Sequence, residues 1–279
     1  DEDVRRGAAL ALERIDPAAW LRAPSWDATL ATVERLVPIL MNEHHVPAVS
    51  IALVKDRRVA YSKAWGIADA KSGAPATTGT LFEVASMTKP AFAYVALKLV
   101  GERKLDLDRP LAEVVDLPTV PGQPELTRIT PRMVLSHTSG LPNWRPGGEE
   151  RDGPLPVLFE PGSRFGYSGE AMFQLQRAVE KVTGAPLEEY SKRALFGPLG
   201  MERASFAWTP ELDPALATGH DEEGKPKARA RYRHPNAAYT LLSTAPDYAR
   251  FLTAILDPEA FGPKALEVMK AAMRWGATL

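Results

Sequence analysis

Two runs near the front of the chain, Val49–Val54 and Val59–Trp65, constrain the fold more than any other feature. Both are apolar and rich in strand formers, and the charged tetrapeptide Lys55-Asp56-Arg57-Arg58 between them reads as a turn. The runs are apolar on both faces, so the hairpin they predict belongs to a sheet covered on both sides. A lone hairpin is marginal in water and needs further strands beside it. Nothing after residue 240 reads as a strand. The sheet is therefore either unfinished in this chain or completed by strands too weak in pattern to detect.

The remaining pattern is helical. Residues 1–24 are expected to form an arm with one short helix. Ser25 stands where an N-cap belongs, and Leu30, Val33, Val37, Leu40 and Met41 follow at helical spacing. Pro38 interrupts that pattern and predicts a kink or an early end. Pro90–Val100 is apolar nearly all round, which marks a buried helix. Ala171–Val182 carries Met172, Leu175, Val179 and Val182 on one stripe, with Gly184 as its stop. Pro186 suits the first turn of a helix running through Leu195. Residues 213–235, with the cluster Lys225–Arg233, read as an exposed loop. Thr244 and Pro246 open a helix that continues through Ile255, and a last helix is expected near Pro263–Met273. The predicted fold class is α/β (α+β): an antiparallel sheet flanked by helices, plus a mostly helical domain. The sheet domain would comprise 25–80 and 236–279, and the helical domain 81–235.

Composition narrows the function. Lys and Arg number 34 against 35 Asp and Glu, and such a balance disfavours nucleic acid as partner. With no cysteine, thiol nucleophiles, disulfides and zinc-thiolate sites are excluded. No apolar run approaches the roughly 20 residues that span a bilayer. His44-His45 lacks the spacing of a helical metal site, and no Gly-x-Ser-x-Gly elbow exists for a Ser-His-Asp triad. The start, Asp1-Glu2-Asp3, has neither an initiator Met nor the basic-then-apolar pattern of a signal peptide, so a segment is expected to have preceded it.

One tetrapeptide carries chemistry: Ser86-Met87-Thr88-Lys89. With 12 Ser and 12 Lys among 279 residues, chance supplies roughly half a Ser-x-x-Lys match in such a chain, so the motif alone proves nothing. Its setting is more informative. It falls at the entry to the most apolar helix, where residues three apart share a face and the helix N-terminus favours an anion. A poorly solvated amine beside a hydroxyl can take its proton, which activates a serine without histidine. A Ser N-cap followed by an exposed Lys is the plain alternative.

The segment Phe82-Glu83-Val84-Ala85-Ser86-Met87-Thr88-Lys89-Pro90 resembles the active-site segment of the serine β-lactamase and penicillin-binding-protein-like family, particularly its class C β-lactamase and esterase branch. The likeness continues, in the family's order, through Gly101–Asp108, Ile129–Leu141, Pro161–Ser168, Pro198–Met201 and Ser243–Asp247. The resemblance implies a nucleophile, Ser86, a base partner, Lys89, and a second motif beginning at Tyr167, whose hydroxyl would shuttle the proton to the leaving group. The backbone N–H of Ser86 would supply half of an oxyanion hole. Asn143 and Trp144, after the Ser136–Leu141 block, are candidates for lining the acyl pocket with Gly169, and His137 is expected to be structural.

Two departures from the family stand out. The second motif reads Tyr167-Ser168-Gly169, whereas β-lactamases of this type have at the third place an Asn that donates to the substrate's side-chain amide. The third motif, Lys/His-Thr-Gly on a sheet strand, is not found: Thr218-Gly219 lies in a polar loop, and Trp275-Gly276-Ala277 is only a faint echo of an esterase Trp-Gly-Gly. The missing motif and the missing strands suggest a completing C-terminal segment or a second chain. The expected activity is hydrolysis of a small ester or peptide-like substrate through an acyl-enzyme, with no metal or organic cofactor. A carboxylesterase leads, ahead of a D-Ala-D-Ala carboxypeptidase or a β-lactamase; a non-catalytic binding homologue or an inactive fragment is the reading from another class. The resemblance favours a periplasmic or secreted location, and a cytoplasmic one stays open.

Overall fold

The computed structural model describes residues 25–118, 120–145 and 153–256. The expected arm, the last helix and the Trp275-Gly276-Ala277 echo lie outside these residues. The chain divides into two compact units, 1–49 and 50–279. Described by itself, the first is dominated by helix α1, Trp26–Glu43, which opens as the sequence predicts: Ser25 Oγ accepts the Ala28 N–H at 3.2 Å. The predicted early end at Pro38 is corrected. The helix runs on to Glu43, and the His44 N–H closes its last turn on the Leu40 carbonyl.

The hairpin is strand β1, Ala48–Lys55, and strand β2, Arg58–Asp69. Asp56 and Arg57 both sit in the left-handed region, at φ 50° and 59°. That is the two-residue turn whose twist matches the flanking strands. The hairpin is not alone. Strand β3, Ala74–Pro75, adds to β2 in the order β1-β2-β3, with Ile67 opposite Pro75 and Asp69 opposite Ala74. A second, two-stranded sheet pairs β4, Phe82–Glu83, with β5, Leu242–Ser243, antiparallel. The reading that no strand follows residue 240 is therefore corrected. A two-residue strand shows no alternation, and Thr244 of β5's flank already announces a helix. The expectation of cover on both faces is also too strong: no residue of β1 is buried, and in β2 only Ala68 is, with 8 % of its surface exposed.

Helix α2, Thr88–Gly101, is the centre of the second unit. Phe92, Val95 and Leu99 are fully buried, and even Lys89 near its start is only 5 % exposed. A short helix α3, Pro131–Leu135, packs against α4, Gly169–Thr183. Ser168 Oγ caps α4 by accepting the Ala171 N–H at 2.9 Å, and Gly184 ends it at φ 67°, a conformation that a Cβ would strain. Pro186 is an N-cap: α5, Leu187–Ser191, passes through a π-helical turn, Lys192–Phe196, into α6, Gly197–Leu199. Helix α7, Ala245–Ile255, has Thr244 as its cap and Pro246 in its first turn, and it packs on β2. One apolar core joins α2, α4 and α7 with Leu105–Leu111, Leu126–Leu135 and Ala237–Leu241. The segment 213–235 begins in the 3-10 turn Pro210–Ala215, and its Arg229 and Arg231 pair with Asp213. No helix among the described residues is long and apolar enough to cross a membrane.

Candidate active site

The turn Ala85–Met87 is a 3-10 helix that leads into α2. Ala85 is held at φ 45°, a left-handed conformation rare for a residue with a Cβ. Thr88 stabilises it, donating its hydroxyl to the Ala85 carbonyl while accepting the Leu241 N–H at 3.1 Å. Tyr248 donates its hydroxyl to the Met87 carbonyl at 2.9 Å. Two distant segments thus grip the turn that presents Ser86, at the positive end of a fourteen-residue helix.

Three predicted residues meet there. Lys89 Nζ donates to Ser86 Oγ at 3.2 Å and to the Ala238 carbonyl at 2.8 Å. Tyr167 donates its hydroxyl to Ser86 Oγ at 2.8 Å, and its ring lies 4.6 Å from Lys89 Nζ, within cation–π range. The amine is buried and the phenol is 41 % exposed, so the hydroxyl group lies between a dry donor and a wet one. Such a cluster can pass a proton among three heteroatoms without a large movement.

His137 completes the far side of Tyr167. Its ring stacks on the phenol with centroids 4.6 Å apart, and its Nδ1 accepts the Ser168 N–H at 3.3 Å. Burial, reinforced by the charge of Lys89, lowers its pKa from 6.5 to about 4. His137 is therefore a neutral plate at ordinary pH. The block Ser136–Leu141 flagged this histidine as structural. The Ala238 carbonyl and Tyr248 left no sequence signal, because the first is a main-chain atom and the second belongs to a helix far along the chain.

The other predicted residues lie at the start of α4. Asn143 Oδ1 accepts the Gly169 N–H at 2.9 Å, so the amide serves as a second cap. Its neighbour Trp144 stands over Gly169, where a methyl group would come within 2.5 Å of the indole. Below them Arg145 forms a buried ion pair with Glu170, and Arg145 also donates to the Gly153 carbonyl at 3.1 Å. Gln174 donates to the same Glu170 oxygen at 2.8 Å. This network ties the 143–145 segment to the first turn of α4.

A serine, a lysine one turn on and a tyrosine from a second motif thus meet at one point of this fold. A family model described as Beta-lactamase matches residues 33–279, and the chain belongs to that family, with the β-lactamase/transpeptidase-like fold of an antiparallel sheet and helices. A putative D-alanyl-D-alanine carboxypeptidase of Escherichia coli strain K12 is 33 % identical over 190 residues, 57 % of this chain and 43 % of that protein. Esterase EstB of Burkholderia gladioli is 32 % identical over 242 residues, 76 % of this chain and 59 % of that protein. The octameric penicillin-binding protein homologue from Pyrococcus abyssi superposes with a TM-score of 0.71 at 29 % identity, over 86 % of this chain and 59 % of that one. The chain thus spans about half the length of the curated relatives it matches.

Proposed function

We propose that the protein is a serine hydrolase that cleaves a small ester or amide through an acyl-enzyme. One observation carries this reading: Ser86 Oγ accepts hydrogen bonds from both Lys89 Nζ, at 3.2 Å, and Tyr167 Oη, at 2.8 Å. Ser86 attacks the carbonyl as its proton passes to whichever of the two is in its basic form. The same pair returns that proton to the leaving group and then draws one from the water that releases the acyl group. The Ser86 N–H at the head of α2 stabilises the oxyanion in part. A further strand bearing Lys/His-Thr-Gly, from a completing segment or a second chain, belongs to the same proposal.

Within the class we favour a carboxylesterase. Gly169 offers no side-chain donor for the amide that β-lactam and peptide substrates carry next to the scissile carbonyl, whereas a simple ester needs none. The carboxypeptidase reading rests on the E. coli relative, whose name gives that activity. The test is a fluorophosphonate label read by peptide mass spectrometry, with a fluorescent penicillin in parallel. An adduct on Ser86 that disappears in Ser86→Ala is expected, with p-nitrophenyl esters turned over faster than nitrocefin. No adduct from either reagent would overturn the hydrolase reading in favour of a binding homologue or an inactive fragment.

A further inference from the structure

Tyr167 is exposed and sits on a short extended run, where Ser168 has φ −141° and ψ 115°. The segment 137–145 closes on this run as a clasp. At one end the His137 carbonyl accepts the Gly166 N–H at 2.7 Å, and the His137 ring stacks on Tyr167. In the middle the Pro142 carbonyl accepts the Ser168 hydroxyl at 2.7 Å, and the Asn143 carbonyl accepts the Glu170 N–H at 2.9 Å. At the far end Arg145 pairs with Glu170, the residue that directly follows the second motif.

That last contact is charged and dry, since both side chains are buried. Taking two charges out of water offsets most of their attraction, and apolar residues of similar volume are often no less stable. Here the offset is larger, because Glu170 Oε2 accepts no hydrogen bond among the described residues. Stability is therefore a poor account of the pair. Direction is a better one. Glu170 Oε1 also accepts from Gln174 Nε2 at 2.8 Å, and Gln174 Oε1 accepts from Arg177 Nη1 at 2.8 Å, so the carboxylate is tied along α4. Arg145 Nη1 is anchored on the Gly153 carbonyl at 3.1 Å. Two groups that are each already fixed thus meet at the end of the clasp.

We propose that Arg145 and Glu170 are positioning residues for Tyr167: their buried pair locks the clasp on the second motif and holds the phenol within hydrogen-bond range of Ser86. This rests on the hydrolase reading for its effect on turnover, while the contact between Tyr167 and Ser86 can be read without any. Tyr167 Oη stands 2.8 Å from Ser86 Oγ. A displacement of about 1 Å breaks that bond, and misplacing a reacting group by so much can cost about 100-fold in rate.

The experiment compares the wild type with the neutral double variant Arg145→Met/Glu170→Gln, which buries no lone charge and keeps an acceptor for Gln174. Near-ultraviolet circular dichroism checks the fold, and the urea midpoint is expected close to that of the wild type. With 3-fluorotyrosine in place of tyrosine, the fluorine resonance of residue 167 is assigned by its loss in Tyr167→Phe. In the wild type it should move on Ser86→Ala, and in the double variant it should move less than about half as far. In parallel, kcat for p-nitrophenyl acetate should fall about 30-fold with KM within about threefold. In a Tyr167→Phe background the same double substitution should cost less than about twofold, because the pair acts through the phenol. A folded double variant whose resonance answers Ser86→Ala as fully as the wild type's would overturn the inference and leave the hydrolase reading standing. So would a loss of kcat that adds in full to that of Tyr167→Phe. Should the double variant not fold, Glu170→Asp, which draws the carboxylate back from Arg145 and keeps its charge, is read in the same way. A wild-type resonance indifferent to Ser86→Ala would also overturn the inference, since no contact would exist to position. A response that depends on the pair, in a protein that never labels at Ser86, would overturn the hydrolase reading alone.

Discussion

Tyr167 makes three contacts that separate cleanly by substitution. Its hydroxyl reaches Ser86, its ring faces Lys89, and its other side stacks on His137. Tyr167→Phe keeps the last two and removes the first. We expect the fluorophosphonate labelling rate and kcat to fall by about 100-fold or more while the thermal midpoint barely moves. His137 gives a prediction in pH. In the unfolded chain it titrates near 6.5, and in the native protein near 4, so between these values the unfolded state holds a proton the native state lacks. Stability therefore falls as the pH drops from about 6.5 toward 4, by an amount on the order of 3 kcal/mol at most. His137→Asn, which tolerates the left-handed backbone at φ 55° and keeps an acceptor for Ser168, should flatten that slope in denaturant titrations at pH 4.5 and 7.

At the scale of elements, the caps were legible and the short strands were not. Ser25, Thr244, Pro246 and Gly184 were all marked by local chemistry that acts within a few residues, and each stands where that chemistry put it. Leu242–Ser243 and Ala74–Pro75 are strands only because distant partners meet them, which no local pattern encodes. The tetrapeptide at 86–89 was legible for the reason the caps were: its partners lie one turn apart. Its grip by residues 238–248 was invisible, since that depends on folding over about 150 residues. Two substitutions probe these joints. Ser168→Ala deletes the α4 cap and the bond its hydroxyl donates to the Pro142 carbonyl at 2.7 Å, and should cost about 1–2 kcal/mol in urea unfolding. Thr88→Val leaves the buried Leu241 N–H without its acceptor and the Ala85 carbonyl without its donor. A loss of about 2–3 kcal/mol and slower Ser86 labelling are expected, because the Ala85 turn loses its brace.

For the molecule as a whole, α2 does two jobs with one set of residues. Its buried face is the middle of the core, and its first turn carries Lys89, so the helix that fills the core also positions the amine beside Ser86. Phe92→Ala should cost about 3–5 kcal/mol by equilibrium denaturation and should speed proteolysis of the 50–256 body. The lysine tether has a different consequence. Ala238 offers Lys89 an oxygen that every amino acid carries, so exchanging the residue type at 238 cannot delete it and would be felt only as crowding. Repositioning the ammonium requires rerouting the chain itself, by insertion or by a proline near residues 236–240. An evolving lineage could retune this amine only through the path of that segment, and single-residue scans at 238 would underrate its importance.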